Sequence, residues 1–246
     1  MVIDVGGGPN KVVTIIGVGA EIGQATGARL GSQGHHVLVA THRDDRGPES
    51  APRIRTHGAL PRVHAASRSA VAALVDGMAA EFGRVDVLVS HVGLGPVLRP
   101  DRVQKHNGGP NIDINVRSLL HGIAAALPHF RRQGGGHFVI IESSATHDGR
   151  PFDAGYSTRR AAAEGLRLDD PGVRTTTISL GLVGKVEPDD CLTSPTLQES
   201  AIDVIAGAIS YAIAQPPDIH VSDIVIRSKT KSSCTRNRGR NLTPMR

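Results

Sequence analysis

The chain has no tryptophan, two tyrosines and four phenylalanines in 246 residues. A core therefore has to be built from Val, Ile, Leu and Ala, and 39% apolar residues are ample for that. Recognition of single-stranded nucleic acid by stacked aromatic side chains is poorly supported for the same reason. Cysteine is also scarce: Cys191 and Cys234 make neither a disulfide framework nor a CxxC pair, which fits a reducing cytoplasm. No apolar run approaches membrane-spanning length, and the opening MVIDVGGGPN lacks a basic stretch ahead of an apolar one, so a soluble, cytoplasmic protein is expected. Histidines number 12, yet none forms an HExxH or Cys/His cluster, and His35 and His36 would face opposite sides of a strand. No metal site is expected.

Acidic residues are missing from 227–246, which holds seven Lys/Arg and no Asp or Glu. Removing those seven from the net charge of +5 leaves the remainder at −2, so the basic character belongs to this last segment. Its polar sequence without apolar periodicity reads as a disordered tail, and nucleic-acid binding by the body of the protein is not expected. The expected organisation is an N-terminal extension over 1–10, a single domain over 11–228 and a basic tail over 229–246.

What is present is an alternation of short β-rich apolar runs with helical patterns. VVTIIG from Val12 precedes a helix over 21–32, and HVLVAT from His36 precedes a brief strand near Val63 and a helix over 68–82. VDVLVS from Val85 leads to a helix over 111–131, and HFVIIES from His137 leads to the helix of Tyr156. RTTTISL from Arg174 is followed by a helix over 197–214, and IVIR closes the series. Strands apolar on both faces and separated by helices require a parallel sheet covered on both sides: a Rossmann-like, doubly wound α/β fold of about seven strands in three layers. Ligands bind such sheets beyond the carboxyl ends of the strands, at the switch point. The glycine turn after the first strand, Ser90-His91, and Glu142-Ser143 all fall there.

Three chemical signals stand out. Gly17-Val18-Gly19-Ala20-Glu21-Ile22-Gly23 sits between a strand and a helix, where glycines let backbone N–H groups approach a pyrophosphate. Tyr156 and Arg160, at i and i+4, share one helix face, and a cation beside a phenol favours its phenolate. The same spacing also suits an ordinary amphipathic helix with a solvated arginine. Ser143 stands 13 residues before Tyr156. After the second strand, Thr41-His42-Arg43 offers no acid for an adenosine ribose, and a cation there accommodates a 2′-phosphate; a solvent-facing Arg43 is the alternative.

Together with Asn115, these motifs resemble the short-chain dehydrogenase/reductase family over roughly 11–229, and its NADP-linked branch in the C-terminal segment AISYAIAQPPDIHVSDIVIR. VDVLVSHVG matches the family segment ending in Asn-Asn-Ala-Gly, which puts Gly93 beside the cofactor, and GVRTTTISLGLV matches its Pro-Gly segment. The resemblance implies that Tyr156 gives a proton to a substrate carbonyl and Ser143 hydrogen-bonds the same oxygen. Arg160 would bind the nicotinamide ribose and lower the tyrosine pKa, and Asn115 would hold a relay water. NADP(H) is implied in preference to NAD(H), along with a dimer or tetramer formed through the helices over 111–131 and 156–169.

Several positions depart from the family pattern. Glu21 replaces a glycine, where its carboxylate can cap the helix and compete with a pyrophosphate or simply turn outward. His64 replaces an aspartate beside the adenine, and Ser90-His91-Val92 replaces Asn-Asn-Ala. Leu180 replaces the proline, Arg160 a lysine, and the stretch from Tyr156 to Leu180 is shorter by about one to two helical turns. His91 adds a group titrating near ~6.5 at the mouth of the site, able to serve as an acid/base or as a structural loop contact. Three functions follow: an NADP(H)-dependent oxidoreductase of a small ketone or secondary alcohol; an enzyme that has lost hydride transfer and uses Tyr156, Ser143 and His91 for cyclisation, dehydration or isomerisation; or a non-catalytic binding or regulatory protein.

Overall fold

The structure, a computed structural model, describes residues 10–17, 20–41, 65–91, 116–143, 154–181 and 199–227. Among them run six strands: β1 (Val12–Gly17), β2 (His36–Thr41), β3 (Val87–His91), β4 (Gly136–Ser143), β5 (Val173–Leu180) and β6 (Asp223–Ile226). Five helices alternate with them: α1 (Ala20–Ser32), α2 (Arg68–Phe82), α3 (Ser118–Gln133), α4 (Ala154–Asp169) and α5 (Glu199–Ala214). The sheet is parallel throughout, in the order β2-β1-β3-β4-β5-β6. That is the doubly wound arrangement expected from the alternation of runs. The strand expected near Val63 and the helix positions 111–115 lie outside the described residues.

Strand alternation divides the core in two. Val13, Ile15, Val37, Val39, Val87, Val89, Val139, Ile141 and Ile178 face α1 and α5, meeting Ile22, Leu30, Ile205, Ile209 and Ile213. Val12, Ile16, Leu88 and Phe138 face the other layer, meeting Val71, Leu74, Val75 and Met78 of α2, Phe130 of α3 and Leu166 of α4. Ile140 meets Leu119 and Ala163 in the same layer. Near-continuous apolar strands follow directly from this double coverage.

Element ends have local causes. The Ser67 hydroxyl caps α2 by accepting from Ala70 N at 3.4 Å. The chain leaves α3 at Gly134 with φ 76°, and Gly135 N donates to Phe130 O at 2.9 Å, a left-handed exit that glycine alone makes without strain. β3 begins at Val87 rather than the expected Val85, because Val12 N donates to the Asp86 carboxylate at 2.8 Å and register with β1 starts one residue later. His35 and His36 part company as the strand entry predicts. His35 Nδ1 accepts from Lys11 N at 3.1 Å, while the His36 ring stacks on Phe82 at 4.5 Å.

The amino ends of the strands are tied to the C-terminal part of the fold. Lys11 Nζ donates to Ile213 O, and one Arg174 nitrogen reaches the carbonyls of Gln215, Pro216 and Ile219 at 3.1, 3.1 and 3.2 Å. Two cations thus meet carbonyls at and just beyond the carboxyl end of α5, where the helix dipole is negative. His137, 2% exposed, lies beneath them. The Thr176 hydroxyl donates to Val221 O at 2.6 Å, so it must accept from His137 Nε2 at 2.8 Å, which puts a proton on Nε2. Burial, then the charges of Arg174 and Lys11 and the neighbouring His220, hold its pKa well below the usual histidine value.

Candidate active site

Chain order reverses direction across the sheet between β1 and β3, since β2 lies on one side of β1 and β3 on the other. The crevice of a doubly wound sheet opens there, beyond the carboxyl ends of the strands. Gly17 is in register with both Thr41 and His91, so the last residues of three strands come level at that edge. A Cβ on Gly17 would lie 3.4 Å from His91 O and 3.5 Å from His91 Cβ, in ordinary van der Waals contact with the neighbouring strand end. A residue without a side chain at this strand end lets a ligand come close to the backbone.

The rest of the glycine turn divides into packing and exposure. Ile22 is buried in the core with Leu30, whereas Glu21 is exposed in the first turn of α1. A Cβ on Gly23 would stand 3.3 Å from Val39 Cγ1, so this glycine lets the helix lie close on the sheet. A strand-end glycine, a helix beginning at Ala20 and a close-packed third glycine fit a dinucleotide's pyrophosphate at the helix N-terminus. Gly19, His42, Arg43, His64, Gly93 and Asn115 lie outside the described residues.

Next to β3 in the sheet comes β4, whose last residue is Ser143, in register with Leu180 of β5. Tyr156 and Arg160 lie one turn apart in the first half of α4, the helix that crosses from β4 to β5. Topology therefore brings the glycine turn, His91, Ser143 and the start of α4 to one end of the sheet. Ser90 is buried and His91 half-buried at the end of β3. At β5, Gly181 N donates to Ile226 O at 2.7 Å, and a Cβ on Gly181 would fall 3.2 Å from Arg227 Cα. A larger residue at 181 would have to push the backbone after β6 aside by a few tenths of an ångström.

One buried acid enters the same end. Glu142 is 3% exposed, and its Oε1 accepts from Ser179 Oγ at 3.1 Å. Sequence reading singled out Glu142-Ser143 as a segment but gave Ser179 no part, because a lone serine in RTTTISL looks like ordinary strand alternation. A polar residue opposite an acid in an otherwise apolar strand pair is the signal that could have found it.

A shallow depression of about 510 Å³ between α2 and α3 lies away from the strand ends. Its polar groups already serve one another: Arg132 donates to His129 Nδ1 at 2.9 Å, leaving His129 Nε2 to donate to Asp76 at 2.8 Å. Among the described residues no group of three His, Cys, Asp or Glu could hold a metal, and no helix is long and apolar enough to cross a membrane.

Comparison with known proteins agrees with this layout. The family model described as short chain dehydrogenase matches residues 11–179. An uncharacterized oxidoreductase of Staphylococcus saprophyticus is 31% identical over 240 residues, covering 91% of this chain and 98% of its own. One from Listeria monocytogenes is 27% identical over 237 residues, covering 88% and 96%. Among solved structures, an alcohol dehydrogenase from Thermococcus sibiricus complexed with 5-hydroxy-NADP superposes with a TM-score of 0.72 at 21% identity, covering 89% of this chain and 97% of that one. Serine dehydrogenase from Escherichia coli superposes with a TM-score of 0.70 at 22% identity, covering 87% and 97%. The family match over 11–179 and the 31% identity across most of both chains carry the conclusion that this protein is an enzyme of the short-chain dehydrogenase family.

Proposed function

We propose that the protein is an NADP(H)-dependent oxidoreductase that reduces a small ketone or oxidises the corresponding secondary alcohol. The observation that carries this reading is the convergence at the switch point of Gly17 and His91, level at the carboxyl ends of β1 and β3, with Ser143 ending the next strand of the sheet. When bound, the nicotinamide supplies the hydride that no side chain can. The turn from Gly17 through Gly19, Glu21, Ile22 and Gly23 receives the pyrophosphate, and Gly93 lies beside the cofactor. Arg43 with His42 takes the 2′-phosphate, and His64 lies by the adenine. Tyr156 donates a proton to the carbonyl oxygen, and Ser143 hydrogen-bonds that oxygen. Arg160 holds the ribose hydroxyls and keeps the charge a phenolate needs, while Asn115 holds a water that returns the proton to Tyr156. The protein works in the cytoplasm as a dimer or tetramer through the helices over 111–131 and 156–169, which suits Leu120 of α3, 47% exposed.

The test is titration with NADPH and NADH, read by thermal stability and by the dinucleotide's own fluorescence. Binding to the folded state at about 100 times Kd adds about 2.7 kcal/mol. NADPH should stabilise more than NADH; no shift at millimolar levels of either overturns the reading. Tyr156→Phe should keep NADPH binding and lower turnover of a small-ketone panel by roughly 10²- to 10⁴-fold.

One observation favours a second reading. The His91 ring brings Nδ1 to 3.8 Å from a Cβ position on Gly17, which sets an imidazole at the start of the glycine turn. An acid/base at that point suits a non-redox cyclisation, dehydration or isomerisation shared with Tyr156 and Ser143. Turnover independent of nucleotide and lost in both His91→Ala and Tyr156→Phe would favour it; strict dependence on NADPH would end it.

A further inference from the structure

Two cations from distant strands converge beneath the carboxyl end of α5, at the end of the sheet opposite the candidate active site. Val13, Val87, His137 and Arg174 lie level across β1, β3, β4 and β5. Val13, Val139 and Ile178 face α1 and α5, so alternation puts Lys11, His137 and Arg174 on that side as well. The backbones of Lys11 and Arg174 stand three strand spacings apart, ~14 Å. Their side chains nevertheless end on one short stretch of chain: Lys11 Nζ on Ile213 O, and Arg174 Nη1 on the carbonyls of Gln215, Pro216 and Ile219. His137 lies buried on the strand between them.

No acid is shared by the two cations. Burial lowers the Arg174 pKa with no carboxylate to offset it. Lys11 is lowered by burial and by the Arg174 charge, against the pull of Asp86. Asp86 is already engaged, one oxygen accepting from Val12 N and the other from Arg84 Nε, both at 2.8 Å. The nearby histidines add no negative charge: His35 accepts from Lys11 N, His137 bonds Thr176, and His220 bonds Thr175. Carbonyls at the helix end offset part of the positive charge, but they take one nitrogen of each cation. The other protons of Lys11 Nζ, and the N–H groups of Arg174 Nε and Nη2, have no partner among the described residues. Both side chains are half-buried, so their charges are screened less than surface ones and stay within reach of a dissolved ion.

We propose that Lys11 and Arg174 form a binding site for a small tetrahedral oxyanion of the phosphate class, which ties the start of β1 to the start of β5 beneath α5. A planar carboxylate is matched by the guanidinium fork alone, whereas a tetrahedral dianion has oxygens for the fork and for an ammonium approaching from another side. The ligand would act on stability, since the site lies away from the strand ends that carry the candidate chemistry.

Thermal unfolding of the full chain tests this, with inorganic phosphate titrated against chloride and acetate at constant ionic strength. Phosphate at about ten times its Kd should raise the midpoint by about 3 °C or more and then level off, and chloride and acetate should do much less. A rise that never saturates is the general exclusion effect of phosphate on any protein, and it overturns the proposal, as does acetate matching phosphate. Lys11→Gln and Arg174→Gln, each compared with its own phosphate-free midpoint, should lose the saturable rise. A phosphate held by the basic segment 227–246 or at the dinucleotide site would instead leave the rise intact in both variants and sink the assignment. Should the variants melt too low to compare, the parent gives a second reading by NMR. The His137 ring resonance, identified by its loss in His137→Gln, lies beneath both cations and should move along a saturable curve with phosphate. A resonance that stays put overturns the site. Neither measurement needs nucleotide or substrate, so either result leaves the redox reading where it stands.

Discussion

The two ends of the parallel sheet are built for different work. At the amino ends, long side chains cross between distant segments and end on backbone carbonyls: Lys11 on Ile213, Arg174 on the carbonyls of Gln215, Pro216 and Ile219, and Thr176 on Val221. At the carboxyl ends, glycines and short polar residues take over, with Gly17 beside His91, Gly181 beside Arg227, and Ser143 closing β4. The contrast teaches where stability and chemistry are separately stored. A hydrogen bond that satisfies a carbonyl stabilises the fold but leaves nothing to offer a ligand, whereas a strand end cleared by glycine contributes little stability and leaves room for one. The acid Glu142 is buried at the chemical end, where the Ser179 hydroxyl donates to it.

Substitutions at the amino end should therefore cost stability and spare the site. The largest effect is expected at Gly136, the first residue of β4, where a Cβ would fall 2.0 Å from the Phe130 ring. That ring is fully buried and packed on Phe138 at 4.8 Å, so it cannot swing aside. Gly136→Ala should destabilise by about 3 kcal/mol in urea unfolding, and the Kd for NADPH in the folded fraction should not change. A stable Gly136→Ala, or one that abolishes NADPH binding while folded, would break the separation of the two ends.

Arg174→Met comes next. It leaves three carbonyls of the segment after α5 without their charged donor while keeping the aliphatic stem, and should cost about 2 kcal/mol. Hydrogen exchange should rise first over 215–222, with β1 and β3 unaffected. Uniform loss of protection would show that the latch is not local.

The smallest and most graded effect is with pH. His137 keeps a folded pKa well below 6.5, so in acid the unfolded chain binds a proton that the folded one refuses. Its contribution is fully present above the unfolded value near ~6.5 and is lost as pH falls below it, at up to about 1.4 kcal/mol per pH unit, until the folded pKa is reached. Half-buried His35, lowered by burial and by Lys11, adds in the same direction. His137→Gln should flatten the slope between pH 6.5 and 5 in urea titrations; an unchanged slope would assign the acid sensitivity elsewhere.

The layered fold was legible because its signal is local and repeated. VVTIIG and HVLVAT are β1 and β2 as read, and the helix over 68–82 has the bounds expected of it, since Ser67 and Gly83 are strong end signals. The shift of β3 from Val85 to Val87 was not legible, because it depends on Asp86, just ahead of the strand, reaching the amide of Val12 in β1. The candidate site divides the same way. Gly17, Gly23, Ser143 and the Tyr156 helix could be picked out from spacing, whereas the Glu142–Ser179 pair joins residues 37 apart and needs the β4–β5 register.

By itself the sequence determined the order of strands and helices, the double coverage of the sheet and the residue types that come to its carboxyl end, because hydrophobic period, glycine turns and capping residues act over a few neighbours. Only the tertiary structure decided which strand ends meet, so that His91 closes on Gly17, Glu142 is buried against Ser179, and Lys11 and Arg174 reach across to the end of α5. Those contacts depend on sheet order and register, which bring together residues far apart in the chain and which no local pattern encodes.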